Sequence, residues 1–259
     1  MERTFLLILE FDGTDFCGWQ RQAEGRSVQL EAERALGRLA GSPRRAVGAG
    51  RTDAGVHALG LPVSTTMPTR WTASALLRAL NAILPVDMAV REVREVQAGT
   101  DARRAAQSRR YRYDIGVDGG CRSPFRRRTE WALGRPLDLN ALSRAAALLS
   151  GEFDFRAFAI VGEPKPHYRC RIVEAGWEVL DAERRRFTVT ADRFLHHMVR
   201  MLVGTMVDIG LGRRPENDMA RLLTLPHNSE TSAPAPAAGL SFVEANYPEA
   251  IFLTDRATW

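Results

Sequence analysis

Ten consecutive residues, Gly48-Ala49-Gly50-Arg51-Thr52-Asp53-Ala54-Gly55-Val56-His57, gather one carboxylate, one guanidinium and three glycines. Glycine lets the backbone come closer to other groups than any residue with a side chain allows. An arginine two residues from a carboxylate favours its ionised form, which suits a nucleophilic or basic aspartate. The same residues also fit a glycine-rich turn with a surface ion pair, since structural ion pairs perturb carboxylates too.

Two further groups could take part. Tyr111 lies in a run, Arg109-Arg110-Tyr111-Arg112-Tyr113, in which aromatics and arginines interleave. That pattern suits base stacking beside phosphate contacts, although a lone tyrosine on an apolar strand face is commonly a core residue with a satisfied hydroxyl. Arg200 sits in an apolar segment, 194–209, where His196, Arg200, Gly204 and Asp208 recur every four residues as one helical stripe. A charge there needs a partner or a wet cleft. Asp53 is a candidate partner, and snorkelling to solvent is the alternative. His57, His196 and His197 have no spacing that makes a convincing metal set, and the three cysteines form no C-x-x-C pair. Phosphate-loop, G-x-G-x-x-G and G-x-S-x-G motifs are lacking, so nucleotide-driven chemistry and serine hydrolysis have no support.

These groups must be held by strands and helices in both halves. An apolar strand over 5–11 is broken at Asp12-Gly13-Thr14, and Ser27 caps a helix whose inner face holds Val28, Ala32, Ala35, Leu36 and Leu39. A strand through 46–48 leads into the glycine-rich run. A helix through Ala73, Leu76, Leu77 and Leu80 and a strand at 88–96 follow. Residues 106–117 alternate as a strand, with Tyr111, Tyr113, Ile115 and Val117 on one face and Arg110, Arg112 and Asp114 on the other. Residues 118–129, with Arg126-Arg127-Arg128, form a basic loop. Helices are expected at 138–149, 194–209 and 216–225, a hairpin at 169–180 and 185–190, and a last strand at 240–245. Strands and helices without regular alternation predict an α+β fold of two α/β halves sharing a mixed, mostly antiparallel sheet with flanking helices. The halves are placed at 1–104 and 105–259, the first carrying Asp53 and the second completing the cleft.

The chain has 259 residues, 45% hydrophobic and 26% charged, with a formal net charge of +5. Lys165 is its single lysine. Arginine binds phosphate bidentately and stacks on bases, but a codon bias replacing lysine would produce the same usage. The clustering of the arginines is the stronger pointer to nucleic acid. An apolar run too short for a signal peptide, no span-length segment and an odd number of scattered cysteines predict a cytoplasmic protein with no membrane association.

The chain closely resembles the TruA family of tRNA pseudouridine synthases. The resemblance is carried by Phe11-Asp12-Gly13-Thr14, Gly18-Trp19-Gln20-Arg21-Gln22, and the most specific block, Gly50-Arg51-Thr52-Asp53-Ala54-Gly55-Val56-His57-Ala58. Asn81, Leu84-Pro85, Asp87 and the Arg109–Tyr113 run continue it. Phe153-Asp154-Phe155, Ala157-Phe158, Phe194-Leu195-His196-His197-Met198-Val199-Arg200, Ala233-Pro234-Ala235 and Gly239-Leu240 complete it, in the family's order over nearly the whole chain. The resemblance implies isomerisation of uridine to pseudouridine in the anticodon arm of tRNA, a homodimer that holds one tRNA across both subunits, and no cofactor or catalytic metal. By position it makes Asp53 the catalytic aspartate and Tyr111 the tyrosine that stacks on the target base. Arg51 and Arg200 become arginines lining the site, and Leu240 an apolar pocket residue. His57, Arg109, Arg110, Arg126, Arg127 and Arg128 are expected to contact the RNA.

One departure stands out. After His57-Ala58 the family usually runs Gly-Gln-Val, whereas this chain reads Gly60-Leu61-Pro62-Val63. Proline inside a strand usually marks an edge or a bulge, which puts the local strand in doubt. Two other readings keep most of these residues: the same chemistry on another RNA, or an RNA-binding protein without turnover.

Overall fold

Phe5, Leu7, Leu9 and Phe11 alternate along one strand and are all buried. A strand with one face so apolar must have that face covered. In the computed structural model, which describes residues 1–160, 167–253 and 255–258, it is β1 (Glu2–Phe11). The chain forms two compact units, Met1–Gln107 with Phe242–Trp259, and Ser108–Ser241.

In the first unit, α1 (Val28–Ala40) starts where the Ser27 hydroxyl accepts from the Leu30 amide. Then come β2 (Val47–Gly48), β3 (His57–Pro68), α2 (Ala73–Asn81), capped by Thr72, β4 (Met88–Val96) and α3 (Ala102–Ala105). β1 lies between β3 and β4, antiparallel to both, and β2 pairs with β3. The Asn81 side chain closes α2 onto β4, donating to the Val90 carbonyl at 2.8 Å and accepting from its amide at 2.7 Å.

β3 runs unbroken through Pro62, contrary to the doubt its proline raised. Pro62 stands opposite Ile8 of β1, and its carbonyl accepts from the Ala49 amide at 2.8 Å. The main-chain polar groups of one strand residue point to the same side. The missing Pro62 amide hydrogen therefore falls on the side away from β1, and no β1–β3 hydrogen bond is lost.

In the second unit, β5 (Ser108–Gly116) pairs in parallel with the short β6 (Trp131–Ala132), which makes the sheet mixed. α4 (Leu139–Ala147), capped by Asp138, β7 (Gly151–Asp154), β8 (Arg169–Val179) and β9 (Arg184–Ala191) follow. β5, β9, β8 and β7 lie side by side, each pair antiparallel. The arginines at 184–186 begin β9. α5 (Met198–Gly210) and α6 (Asp218–Leu222) complete the unit.

The helix expected from residue 194 starts four residues later. His197 adopts a left-handed conformation, φ 62°, which a right-handed helix cannot contain. His196 therefore leaves the expected stripe, and Arg200, Gly204 and Asp208 remain on it. The helix expected at 216–225 is also shorter. β10 (Leu240–Asn246) lies beside β3 in the first unit from Phe242 onward, and β11 (Ala257–Thr258) lies beside β4. The α+β class is as expected. No helix of the described residues is long and apolar enough to cross a membrane.

Candidate active site

The Asp53 loop is built by two sequence blocks pressed against each other within the first unit. The Trp19 amide donates to the Thr52 carbonyl at 3.0 Å, and the Gly55 amide to the Phe16 carbonyl at 3.3 Å. The Val56 amide donates to the Asp53 carbonyl at 3.2 Å and closes the turn. Gly13 has to be glycine: a β-carbon there would stand 2.0 Å from the Val56 carbonyl oxygen. The Gly13 amide donates to His57 Nδ1 at 3.0 Å. His57 is only 5% exposed, so it serves as a buried brace between the two blocks. Asp53 is half-buried, with buried Thr52 on one side and exposed Ala54 on the other. Arg51 is exposed and, among the described residues, forms no ion pair with Asp53. The local pair expected from their spacing is not made.

A second tie holds the first block from below. Arg26 lies over the Phe16 ring, 4.1 Å from its centroid, and donates to the Asp87 carboxylate at 2.8 Å. The Asp87 carbonyl accepts from the Asp12 amide at 3.0 Å. The Arg26 hydrogen bonds hold the Asp87 carboxyl below the usual carboxylate range.

In the second unit, Tyr111 is at the middle of β5, opposite Val189 of β9, and is buried. Its ring meets Phe194 edge-on, with centroids 5.0 Å apart and planes at 81°. Phe194 thus fixes the ring plane of Tyr111. Sequence reasoning placed Phe194 in a helix and missed this role; the aromatic heading the 194–200 block was the one signal that pointed to it. Tyr113 is the contrasting case. Its hydroxyl donates to the Pro236 carbonyl at 2.6 Å, and burial pushes its ionisation up. It is the core tyrosine.

Arg200 is half-buried on α5, and its Nε donates to the Ala235 carbonyl at 2.8 Å, while the Ala235 amide donates back to the Arg200 carbonyl at 2.9 Å. The Ala233-Pro234-Ala235 segment therefore clasps α5. Asp208, on the same stripe, pairs with Arg213 at 3.0 Å. Leu240 is buried at the start of β10. Arg109 donates to the Asp192 carbonyl at 2.7 Å, and Arg110 reaches Glu174 at 3.0 Å and Thr190 at 3.1 Å.

The three arginines of the basic loop have different surroundings. Arg126 contacts the carboxylates of Asp118 at 3.1 Å, Glu130 at 2.8 Å and Glu183 at 2.9 Å. Burial pushes the Glu130 carboxyl up, against the pull of Arg126. Arg127 and Arg128 are exposed.

The first unit carries a carboxylate on a braced loop; the second carries an aromatic face set by a second ring, together with several guanidiniums. Each is a group suited to an anionic, base-bearing substrate. Known proteins specify the class. Residues 145–248 match the family model described as tRNA pseudouridine synthase. The chain is similar to the tRNA pseudouridine synthase A of Thermus thermophilus, 41% identical over 95% of this chain and 98% of that protein. It is also similar to the protein of the same name from Myxococcus xanthus, 39% identical over 93% of this chain and 91% of that one. The chain belongs to the tRNA pseudouridine synthase A family and is an isomerase.

Proposed function

We propose that this protein converts uridine to pseudouridine in the anticodon arm of tRNA, acting as a homodimer, with Asp53 as its catalytic carboxylate. The observation that carries the reading is the bracing of the Asp53 loop by the Phe11–Gln22 block, which positions one carboxylate on a rigid turn. The tRNA substrate is supported by the names of the relatives. The reaction breaks the bond from N1 of uracil to C1′ of the ribose, turns the base, and forms a bond from C5 to C1′. The C5 proton is then lost and N1 gains one, so atoms balance with no oxidant, reductant or water consumed.

Asp53 assists the first step in its ionised form, by attack at C1′ or by taking a ribose proton to leave a glycal. The freed base has to be retained while it turns. The ring of Tyr111, its plane set by Phe194, provides a stacking face, and its hydroxyl can serve as acid or base. The family resemblance assigns Arg51 and Arg200 to the lining of the site and Leu240 to its apolar pocket. A paired uridine leaves its stack before reaction, at a cost of a few kcal/mol.

The test is tritium release from tRNA carrying 5-tritiated uridine, since the C5 hydrogen leaves only when carbon–carbon bonding has occurred there. Wild type should release tritium, and Asp53→Asn should lose turnover while holding tRNA within a few-fold of wild type. Turnover by Asp53→Asn at the wild-type rate would remove Asp53 from the chemistry. Loss of tRNA binding by the variant would make it a structural residue.

A further inference from the structure

Phe125 is 94% exposed at the tip of the basic loop. Its neighbours Arg122, Pro124, Arg127 and Arg128 are exposed as well. We propose that this tip is an RNA-stacking platform, on which Phe125 packs against an unpaired base of the tRNA while Arg122 and Arg127 contact the flanking phosphates. The proposal deepens the reading that the chain acts on tRNA and rests on it.

The first support is that the tip is preformed. The Asp118 carboxylate accepts from the Gly120 amide at 2.7 Å, and the Ser123 amide donates to the Gly120 carbonyl at 3.0 Å. The Ser123 carbonyl takes the amides of Arg126 and Arg127, both at 3.0 Å, and the Phe125 amide donates to the Ser123 hydroxyl at 3.3 Å. Cys121 is buried beneath the tip, and Arg126 is bound by its three carboxylates. A loop held at both ends in this way presents Phe125 with little ordering entropy left to lose on binding.

The second support is chemical. A phenyl ring in water gains when its faces are covered, and a base offers a flat surface of matching size, at about 1–3 kcal/mol per stacked base. Among the described residues, Arg122 and Arg127 form no ion pair with an acidic side chain. Arg126 is neutralised from within, so the charge beside the ring comes from Arg122 and Arg127. An aromatic ring flanked by guanidiniums matches a nucleotide, which brings an apolar face and a phosphate together.

The test measures binding of an unmodified tRNA transcript in the Asp53→Asn background, where turnover does not consume the ligand, alongside tritium release by the chain without that change. Adding Phe125→Ala should weaken binding by at least about five-fold with the salt dependence unchanged, because the ring carries no charge. Phe125→Trp should hold tRNA within two-fold of the parent and show tryptophan quenching beyond that of the native five tryptophans. Equal binding by the alanine variant would overturn the proposal. So would a drop in sedimenting mass with unchanged tRNA affinity, which would assign Phe125 to contact between copies of this chain. Tritium release by wild type with no effect of Phe125→Ala defeats this platform alone. Weakened binding by Phe125→Ala in a chain that releases no tritium leaves the platform standing and defeats the assigned reaction.

Discussion

Asp87 and Arg26 show how an ion pair can hold the turn that braces the loop of Asp53, the proposed catalytic carboxylate. Their ion pair tethers the turn after β1, which in turn braces the Asp53 loop. Arg26 keeps the Asp87 carboxyl below the usual carboxylate range. The stabilisation is therefore complete above the unfolded-state value, about 4, and is lost as pH falls through the lower folded-state value. Asp87→Asn should cost about 1 kcal/mol at neutral pH, the scale of a partly exposed ion pair. The gap to wild type should close in acid, read as denaturant midpoints from pH 7 down to pH 2. A gap that persists at pH 2 would show that the side chain acts through something other than its charge. The sequence made Asp53 legible because its glycines, charge and turn are contiguous. Phe194 beside Tyr111 was not legible, because that contact joins a strand to a segment whose apolar pattern imitates helix.

At the scale of elements, α5 and the 233–235 segment behave as one unit. Gly204 lies at their crossing, where an added β-carbon would stand 2.2 Å from the Ala233 carbonyl oxygen. In an isolated helix, alanine for glycine stabilises by about 1 kcal/mol. Here the sign should reverse: Gly204→Ala pushes the segment off α5 and breaks the double hydrogen bond between Arg200 and Ala235. The expected outcome is a lower melting temperature and a loss of tritium release together. A higher melting temperature with full activity would mean that the segment moves aside freely. The helix pattern predicted α5 itself, yet its start was misplaced. Phe194, Leu195, Met198 and Val199 are spaced as a helix would space them, and only the backbone of His197 reveals the break. Pro62 is the opposite case. A rule about proline in strands argued against continuity, and the position of the Ala49 amide decides for it.

For the whole molecule, a net charge of +5 describes the partner better than it describes the contacts. Much of the arginine is engaged internally: Arg186 with Asp114, Arg110 with Glu174, and both Arg214 and Arg221 with Asp218. The first two join different strands and the last two link residues within five positions of each other, at and inside α6; composition reveals neither kind. The basic loop separates the two uses within three consecutive residues. Arg126→Ala leaves Glu130, only 5% exposed, without its cation, and should cost roughly 3 kcal/mol in unfolding free energy. Arg127→Ala with Arg128→Ala should move the unfolding midpoint far less than Arg126→Ala does, because both side chains are exposed. Each phosphate that the protein no longer neutralises lowers the slope of log K against log salt by about 0.7–0.9. The double variant should therefore flatten that slope by about 1.5 when tRNA binding is titrated across potassium chloride. An unchanged slope would take residues 127 and 128 out of the RNA path, and the charge that attracts tRNA would then have to come from arginines elsewhere on the surface.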